Sequence, residues 1–174
     1  MSLARAAALA ALAAFAAVSA HAHVVAEPDE GAAGAYVRTA FRVTHGCKGS
    51  PTVAVTIRLP ADVVQAKPMP KPGWTVDIKT RPLDEPVDSG HGFQIRQAVT
   101  EVTWRGGHLD NAHFDEFVLS LRLPQKTGAM LYFATLQTCE TGTQDWSQIP
   151  AGGQAWHALP SPAPFIKVKA GHAH

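Results

Sequence analysis

The sequence predicts an all-β protein, built as a single antiparallel β-sandwich. First, apolar and polar residues alternate with a period of two along most of the chain, as in strands with one buried face. Second, helical periodicity is scarce beyond residue 22. Third, 14 glycines and 13 prolines divide the alternating runs into short segments. Many short strands joined by such turns are typical of sandwiches.

The amino-terminal 22 residues have the pattern of an export signal. Arg5 gives a positively charged start, residues 6–18 form an unbroken apolar run, and a small-x-small motif ends at Ala22. Cleavage after Ala22 makes His23 the first residue of a 152-residue chain, a normal size for one domain. A cut after Ala20 fits the same rule and would leave His-Ala-His at the terminus.

We therefore predict a cleaved signal peptide over residues 1–22, a sandwich domain over 23–169 and a flexible histidine-containing tail over 170–174. After cleavage the chain has 14 basic and 14 acidic residues, which gives no electrostatic reason to expect a nucleic-acid or anionic-membrane partner. No later run approaches the roughly 18 apolar residues of a spanning helix. We expect a periplasmic protein with no transmembrane segment after cleavage.

The predicted strands follow one another in short steps. In the first half we expect strands over 23–27, 36–43, 53–59 and 74–78, and a mobile loop over 81–92. Prolines at 68, 70 and 72 exclude a helix and a central strand before the fourth of these. In the second half we expect a strand or hairpin over 93–104 with its turn at 106–107, a strand over 114–123, an apolar run buried on both faces over 130–137, a short strand or loop over 145–149 and a closing strand over 165–169.

The chain has two cysteines, Cys47 and Cys139. An even count in an oxidising compartment favours a disulfide, which in the chain-entropy model stabilises a loop of this length by roughly 4–5 kcal/mol. The alternative is a pair of thiolate metal ligands. The absence of C-x-x-C clustering favours the disulfide.

A terminal histidine differs chemically from an internal one. The α-amino nitrogen and the ring Nδ1 of His23 can bind one metal ion together in a six-membered chelate. An α-amine has an ordinary pKa of only about 8, so its lone pair becomes available near neutral pH at small cost. Amine and imidazole are ligands for Cu, Ni and Zn, and the Irving–Williams order favours Cu(II). The alternative is that the mature chain simply begins with a histidine of no special role.

Glu116 is the candidate third ligand. It lies between Phe114 and Phe117, on a strand whose other face is predicted to be core. A carboxylate among apolar residues needs a partner or a proton. The alternative is a glutamate at the rim that hydrogen-bonds to the backbone.

Trp146 is the candidate aromatic residue at the site, because it lies in the polar segment Gln-Asp-Trp-Ser-Gln. A tryptophan can pack its π face over a bound cation, although covering the end of the sandwich is the commoner role. We interpret Trp74, Trp104 and Trp156 as structural, since each lies in an apolar alternation or in a turn framed by glycine or proline.

The remaining histidines are weaker candidates. His108 and His113 can pair across a turn, and His45 is interpreted as a loop residue near Cys47. The histidines at 172 and 174 belong to the predicted tail. The chain has no G-x-S-x-G elbow, H-E-x-x-H motif or phosphate-binding glycine loop, and nothing in its Ser, His and Asp spacing marks a triad.

Together these motifs resemble those of the YcnI-like family of exported bacterial copper-binding proteins. The shared motifs are the A-x-A-H-V junction at residues 20–24, the P-x-P-G-W turn at 70–74, the T-W-x-G-G strand end at 103–107, the F-x-E-F motif at 114–117 and the acidic residue before Trp146. The resemblance spans nearly all of the chain after cleavage. It implies an immunoglobulin-like or cupredoxin-like sandwich that holds one Cu(II) ion in a single-histidine brace.

Carried over by position, the resemblance implies that His23 supplies amine and ring nitrogens, that Glu116 supplies a carboxylate oxygen, and that Trp146 lies over the metal. It also implies partners among other periplasmic or membrane copper-handling proteins. Cys47 and Cys139 depart from the family's metal signature, and we interpret them as a disulfide of a subfamily. In the unprocessed chain His23 is amide-linked to the preceding residue, so its amine does not yet exist.

Three functions follow from this pattern. The first is a non-enzymatic Cu(II)-binding protein for copper storage, delivery or homeostasis. The second is a copper oxidase or monooxygenase, which would recruit a second histidine such as His45, His108 or His113 beside a substrate groove. The third is a metal-free interaction module, in which His23, Glu116 and Trp146 would lie far apart.

Overall fold

A computed structural model describes residues 23–171. The predicted signal peptide, the choice of cleavage site and the histidines at 172 and 174 lie outside these residues. The described part contains twelve strands and one short 3₁₀ turn. These are β1 (Val25–Glu27), β2 (Glu30–Ala32), β3 (Tyr36–Val43), β4 (Thr52–Arg58), β5 (Ala66–Pro68), β6 (Thr75–Asp88), β7 (Gln94–Leu109), β8 (Asp115–Arg122), β9 (Met130–Tyr132), β10 (Thr135–Cys139), β11 (Thr143–Trp146), the 3₁₀ turn Trp156–Ala158 and β12 (Phe165–Lys169).

The strands form two main sheets and a smaller third one. Sheet 1 has the order β1-β3-β8-β5, and sheet 2 has the order β11-β10-β4-β7-β6. Every pairing within these two sheets is antiparallel. Sheet 3 has the order β2-β12-β9, and its β2–β12 pairing is parallel. The predicted antiparallel β-sandwich is confirmed.

The core takes apolar side chains from all three sheets. Phe41 and Phe117 come from sheet 1, Val55 and Trp104 from sheet 2, and Ile166 from sheet 3, and all five are fully buried. Burial of a large apolar side chain stabilises the fold by roughly 1.5–3 kcal/mol. The period-two alternation of the sequence therefore corresponds to real inward faces.

In β8 the alternation holds except at Val118, which lies on the outward face and is nevertheless only 4% exposed. Phe117, Leu119 and Leu121 are completely buried, as predicted, whereas Glu116 lies on the opposite face and is only half-buried. Phe114, just before the strand, is 65% exposed. This arrangement agrees with the orientation predicted for Glu116.

The predicted mobile loop over 81–92 is wrong for most of its length. Residues up to Asp88 continue β6, which pairs with β7 in a long hairpin. The prolines are tolerated because β6 is the outermost strand of sheet 2, where one side of the backbone needs no ladder partner. The register also shifts between Pro82 and Val87, so this stretch of the ladder is interrupted.

The turn predicted at Gly106-Gly107 is also wrong, because both glycines lie inside β7. Gly106 has a φ of 80°, in the left-handed region, and the register between β4 and β7 shifts nearby. A Cβ on Gly107 would collide with the ring of Trp74. These glycines therefore permit a strand irregularity and a close approach of an indole.

The run over 130–137 is not buried on both faces, as the sequence suggested. It forms two strands, β9 and β10, and burial alternates residue by residue from Leu131 to Cys139. One face meets the core and the other is partly solvated. The outward side chains Leu136 and Ala134 carried the misleading apolar signal.

The predicted disulfide between Cys47 and Cys139 is confirmed, with a Cα–Cα distance of 5.9 Å. Cys47 follows β3 of sheet 1, and Cys139 ends β10 of sheet 2. The bond therefore ties the two main sheets together at one end. Within residues 23–171, no helix has the length and apolar character needed to cross a membrane.

Candidate metal centre beside the first strand

His23 lies two residues before the start of β1, and the ring of this half-buried residue lies between two indoles. The ring centroids of His23 and Trp146 are 5.9 Å apart, with an interplanar angle of 76°. The ring centroids of His23 and Trp156 are 5.2 Å apart, with an interplanar angle of 80°. Both contacts are edge-on, which is a favoured geometry for aromatic pairs. The antiparallel pairing of β1 with β3 begins at Val25, two residues after His23.

Trp146 ends β11 and is 2% exposed. Its Nε1 donates a hydrogen bond of 3.1 Å to Oε1 of Gln137. The indole is part of the hydrophobic core, so Trp146 does have the structural role that was the alternative to a place at the metal site. Its contact with His23 shows that the same side chain also faces the predicted first residue of the processed chain.

Gln137 was not singled out from the sequence, yet it organises this end of the molecule. It is completely buried. Its Nε2 donates to the carbonyl oxygen of His45 at 2.6 Å and to Oγ1 of Thr52 at 2.8 Å, while its Oε1 accepts from Trp146. A buried side-chain amide is costly unless it is paired. The available signal in the sequence was a glutamine directly after the largely apolar run of residues 130–136.

His45 was interpreted as a loop residue, and it does lie in the loop after β3. Its ring also packs against Trp146, with a centroid distance of 6.0 Å and an interplanar angle of 66°. Its Nδ1 lies 2.8 Å from the carbonyl oxygen of Gly46. Trp146 therefore contacts the imidazoles of both His23 and His45. The positions of these two histidines in the sequence did not indicate that they pack against the same indole.

Trp156, predicted to be structural, opens the 3₁₀ turn. Its Nε1 donates to the carbonyl oxygen of Ala163 at 2.7 Å, and its ring contacts Phe165 at 5.6 Å. These contacts agree with a structural role. Its ring is nevertheless the closer of the two indoles to His23, so it also belongs to the site.

Glu116 lies in β8 of sheet 1, farther from His23 than the two indoles are. In the strand register it is opposite Arg42 of β3, which is opposite Val25 of β1. Two strand spacings separate Glu116 from Val25, about 10 Å between backbones. Arg42, the residue between them, forms an ion pair of 2.8 Å with Glu27. The structure brings His23 and Trp146 together and leaves Glu116 two strands away on the same sheet.

The other histidines lie elsewhere. Nδ1 of His108 is 3.2 Å from Oε1 of Glu140, and both side chains are more than half exposed. His113 lines a 300 Å³ cavity with Arg42, Thr44 and Phe114. Within residues 23–171, the imidazoles that pack against the indole of Trp146 are those of His23 and His45.

A second contact between a histidine and an aromatic ring lies at the other end of β3. The ring centroids of His91 and Tyr36 are 5.6 Å apart, and the Tyr36 hydroxyl donates to Oε1 of Gln65 at 2.8 Å. These residues line a cavity of 540 Å³ together with Lys67, Phe93 and Ser120. Tyr36 and Phe93 are 48% and 56% exposed, so this region is open to solvent.

The donors near Trp146 suit a borderline metal ion. Two imidazoles face this indole, and neither cysteine is available as a thiolate because both are in the disulfide. Imidazole nitrogens with a carboxylate are typical of Cu(II), Ni(II) and Zn(II) sites. Within residues 23–171, no three His, Cys, Asp or Glu side chains converge as a ready-made metal site. The predicted site differs in kind, since one of its ligands is the amine that cleavage releases.

Comparisons with known proteins agree on the domain. The profile of a family described as a domain of unknown function, DUF1775, matches residues 23–168. The crystal structure of an uncharacterized protein from Nocardia farcinica, described as having an immunoglobulin-like fold, is similar with a TM-score of 0.63 and 28% identity. That match covers 84% of this chain and 98% of the other. No curated protein sequence gives a significant match.

Proposed function

The chain belongs to the DUF1775 family, and we propose that its processed form is an exported Cu(II)-binding protein of the YcnI-like type. In this proposal a single-histidine brace at His23 holds one copper ion for storage, delivery or homeostasis. The supporting observation is the position of the His23 ring, edge-on against the buried indole of Trp146. The family match begins at this same histidine.

The brace forms only after the signal peptide is removed. The new α-amine and Nδ1 of His23 bind the ion as a chelate, while Trp146 and Trp156 restrict the rotation of the ring from two sides. The indole of Trp146 also offers a π face to a cation, an interaction of roughly 0.5–2 kcal/mol. The aromatic contacts therefore orient the ligand and exclude water from part of its surroundings.

Glu116 is the proposed oxygen ligand of the brace. Its strand runs two positions away from β1, so the glutamate side chain and the new terminus must both reach toward the space beside Arg42. A released terminus has the freedom to do so, since His23 precedes the paired residues of β1. An oxygen ligand completes the mixed nitrogen and oxygen set that Cu(II) favours.

We propose binding without catalysis. Trp156, one of the two indoles that contact His23, lines a cavity of 210 Å³. The other lining residues are mainly apolar, such as Val25, Pro164 and Phe165. Sites for small organic ligands usually have volumes of roughly 300–1,000 Å³. A metal held at the terminus of an edge strand is instead accessible to a second protein, which suits transfer to other periplasmic or membrane copper-handling proteins.

The test begins with the first residue of the exported protein, identified by mass spectrometry, and continues with Cu(II) titration followed by electron paramagnetic resonance. We expect His23 at the terminus and one Cu(II) per chain. Glu116→Gln should weaken Cu(II) binding by at least about tenfold, because loss of even an outer-shell partner costs roughly 10–100-fold. The matched control is Glu140→Gln, which changes an exposed glutamate paired with His108.

A different first residue would contradict the brace. Absence of Cu(II) binding by the protein that begins at His23 would contradict the proposed function as a whole. Unchanged affinity and an unchanged spectrum in Glu116→Gln would remove Glu116 from the ligand set and leave the chelate at His23.

A further inference from the structure

We propose that the cavity beside Tyr36, at the end of β3 far from His23, binds a small aromatic carboxylate. This cavity, called the Tyr36 cavity below, has a volume of 540 Å³. Sites for small organic ligands usually have volumes of roughly 300–1,000 Å³. The proposal is independent of the copper site, because neither His23 nor Trp146 lines the Tyr36 cavity.

One side of the Tyr36 cavity is the outward face of sheet 1. Lys67 of β5 is directly opposite Ser120 of β8 in the strand register, and directly opposite side chains point to the same face of a sheet. Tyr36 of β3 faces the same way, because its register partner on β8 is Arg122, two residues after Ser120. An ammonium group, a hydroxyl and a phenol ring are therefore presented together by three neighbouring strands, and all three side chains are exposed.

The other side of the cavity is the tip of the β6–β7 hairpin, which carries His91 and Phe93. Oγ of the buried Ser89 accepts hydrogen bonds from the backbone nitrogens of His91 at 3.0 Å and of Phe93 at 3.3 Å. Nη1 of Arg122 donates to the carbonyl oxygen of Asp88 at 2.9 Å, which attaches the tip to sheet 1. Hydrogen bonds therefore connect the two sides of the cavity.

Three aromatic rings line the cavity, which indicates an aromatic ligand. The ring centroids of Tyr36 and His91 are 5.6 Å apart, with an interplanar angle of 35°. Phe93 is the third ring and is 56% exposed. Covering exposed aromatic surface with a planar apolar group is favourable, and aromatic rings prefer offset or edge-on contacts with one another. A planar ring that enters the cavity can make such contacts with side chains of both the sheet and the tip.

The polar groups of the cavity match one carboxylate. Nζ of Lys67 forms no ion pair with any residue of the described range 23–171. Oε1 of Gln65 accepts from the Tyr36 hydroxyl, so its Nε2 is left to donate, and the hydroxyl of Ser120 is a further donor. None of the residues that line the cavity is acidic. One ammonium group with neutral donors suits the single negative charge of a carboxylate, and hydrogen bonds to an ionised acceptor are the stronger kind.

A neighbouring cavity extends the site past Lys67 and Phe93, which line both cavities. It has a volume of 340 Å³ and is also lined by Ile95 and Arg96, and again no acidic residue takes part. Lys67 therefore lies where the two cavities meet. The carboxylate is placed there, with the aromatic ring of the ligand in the larger cavity.

The experiment compares three matched probes by isothermal titration of the purified, metal-free protein. The probes are naphthoate, its uncharged amide naphthamide, and decahydronaphthoate, which has the charge without the aromatic rings. Naphthoate should bind with one molecule per chain, at least about tenfold more tightly than either of the others, because each of them lacks the charge or the rings. Equal affinity for all three probes would overturn the proposal, as would the absence of saturable naphthoate binding.

Substitution of Lys67 tests the place of the carboxylate. Lys67→Gln should lower naphthoate affinity at least about tenfold and leave naphthamide affinity unchanged, since only the charged probe loses its cation. Retained naphthamide binding also shows that the cavity is still folded. The matched control is Lys167→Gln, which changes an exposed lysine of β12 that likewise has no ion pair in the described part of the chain. An equal loss in the two variants, or no loss in Lys67→Gln, would contradict the proposed site.

Substitution of Phe93 tests the aromatic contact. Phe93→Leu should lower the affinities for naphthoate and naphthamide together, by roughly two- to tenfold, because both probes lose the same ring contact. The matched control is Phe114→Leu, which changes a phenylalanine that is 65% exposed and lies outside the cavity. Unchanged affinities in Phe93→Leu would show that the probes bind elsewhere and would overturn the proposal. Cu(II) titration of the same proteins is a separate measurement, so either outcome leaves the copper proposal to its own test.

Discussion

The two ends of β3 carry similar contacts in very different surroundings. At one end, His23 and His45 contact Trp146, an indole that is 2% exposed and bonded to a buried glutamine. At the other end, His91 contacts Tyr36, a phenol that is 48% exposed. We refer to these as the His23 end and the Tyr36 end. The same type of contact therefore occurs both at a buried, hydrogen-bonded indole and at a solvent-exposed phenol.

The difference lies in what fixes the rings. The His23 end is held by the disulfide, by Gln137 and by the pairing of β1 with β3. The Tyr36 end lies under the tip of the β6–β7 hairpin, where Gly90 and Gly92 both have positive φ angles. Fixed donors bind a metal with little loss of entropy, whereas donors on an exposed tip must be ordered first.

The largest expected effect is on Cu(II) affinity when the amine of His23 is blocked. Retention of Ala22 converts the terminal amine into an amide nitrogen and removes one arm of the chelate. Affinity should fall by more than the roughly 10–100-fold that loss of an outer-shell partner costs. Isothermal titration of the two forms checks this. Equal affinity would mean that copper binds elsewhere, and His91→Ala would then show whether it binds at the Tyr36 end.

Removal of the disulfide should have the next largest effect. Cys47→Ser combined with Cys139→Ser should lower the free energy of unfolding by about 2–5 kcal/mol, because the unfolded chain gains freedom and the two sheets lose their covalent link. Denaturant unfolding of the metal-free protein measures the loss. A loss below about 1 kcal/mol would show that the noncovalent contacts of the His23 end are sufficient to hold it.

The smallest expected effect is at the Tyr36 end. Tyr36→Phe removes the exposed hydrogen bond to Gln65 and should change the free energy of unfolding by no more than about 1 kcal/mol. Cu(II) affinity should be unchanged. Thermal unfolding and Cu(II) titration measure the two quantities. A clear loss of copper affinity would show that the two ends are coupled along β3.

The sequence predicted the parts of this molecule that depend on local alternation. The inward face of β8, the outward position of Glu116 and the closing strand β12 all follow from a period of two. The prolines in 81–92 predicted a loop, because the sequence does not show that this stretch lies at a sheet edge, where proline is tolerated.

The contacts of the candidate site were only partly predictable. Trp146 and His23 were chosen from chemistry and from the family resemblance, and the fold brings them together. Gln137 was not singled out, and His45 was named only as a loop residue and as a possible second histidine of the alternative oxidase. Their meeting depends on how β10 pairs with β4 and on which way the loop after β3 turns. Contacts between distant segments are set by the tertiary fold rather than by any local pattern.

The parallel pairing of β2 with β12 has a consequence for the order in which parts of the fold form. His23 and β2 lie in the first fifth of the chain, whereas β12, Trp146 and Trp156 belong to its last third. Contacts between such distant segments form late in folding, because long loops must close before they can form. Under the proposed function, the aromatic surroundings of His23 therefore form late, and metal loading is expected to follow completion of the fold.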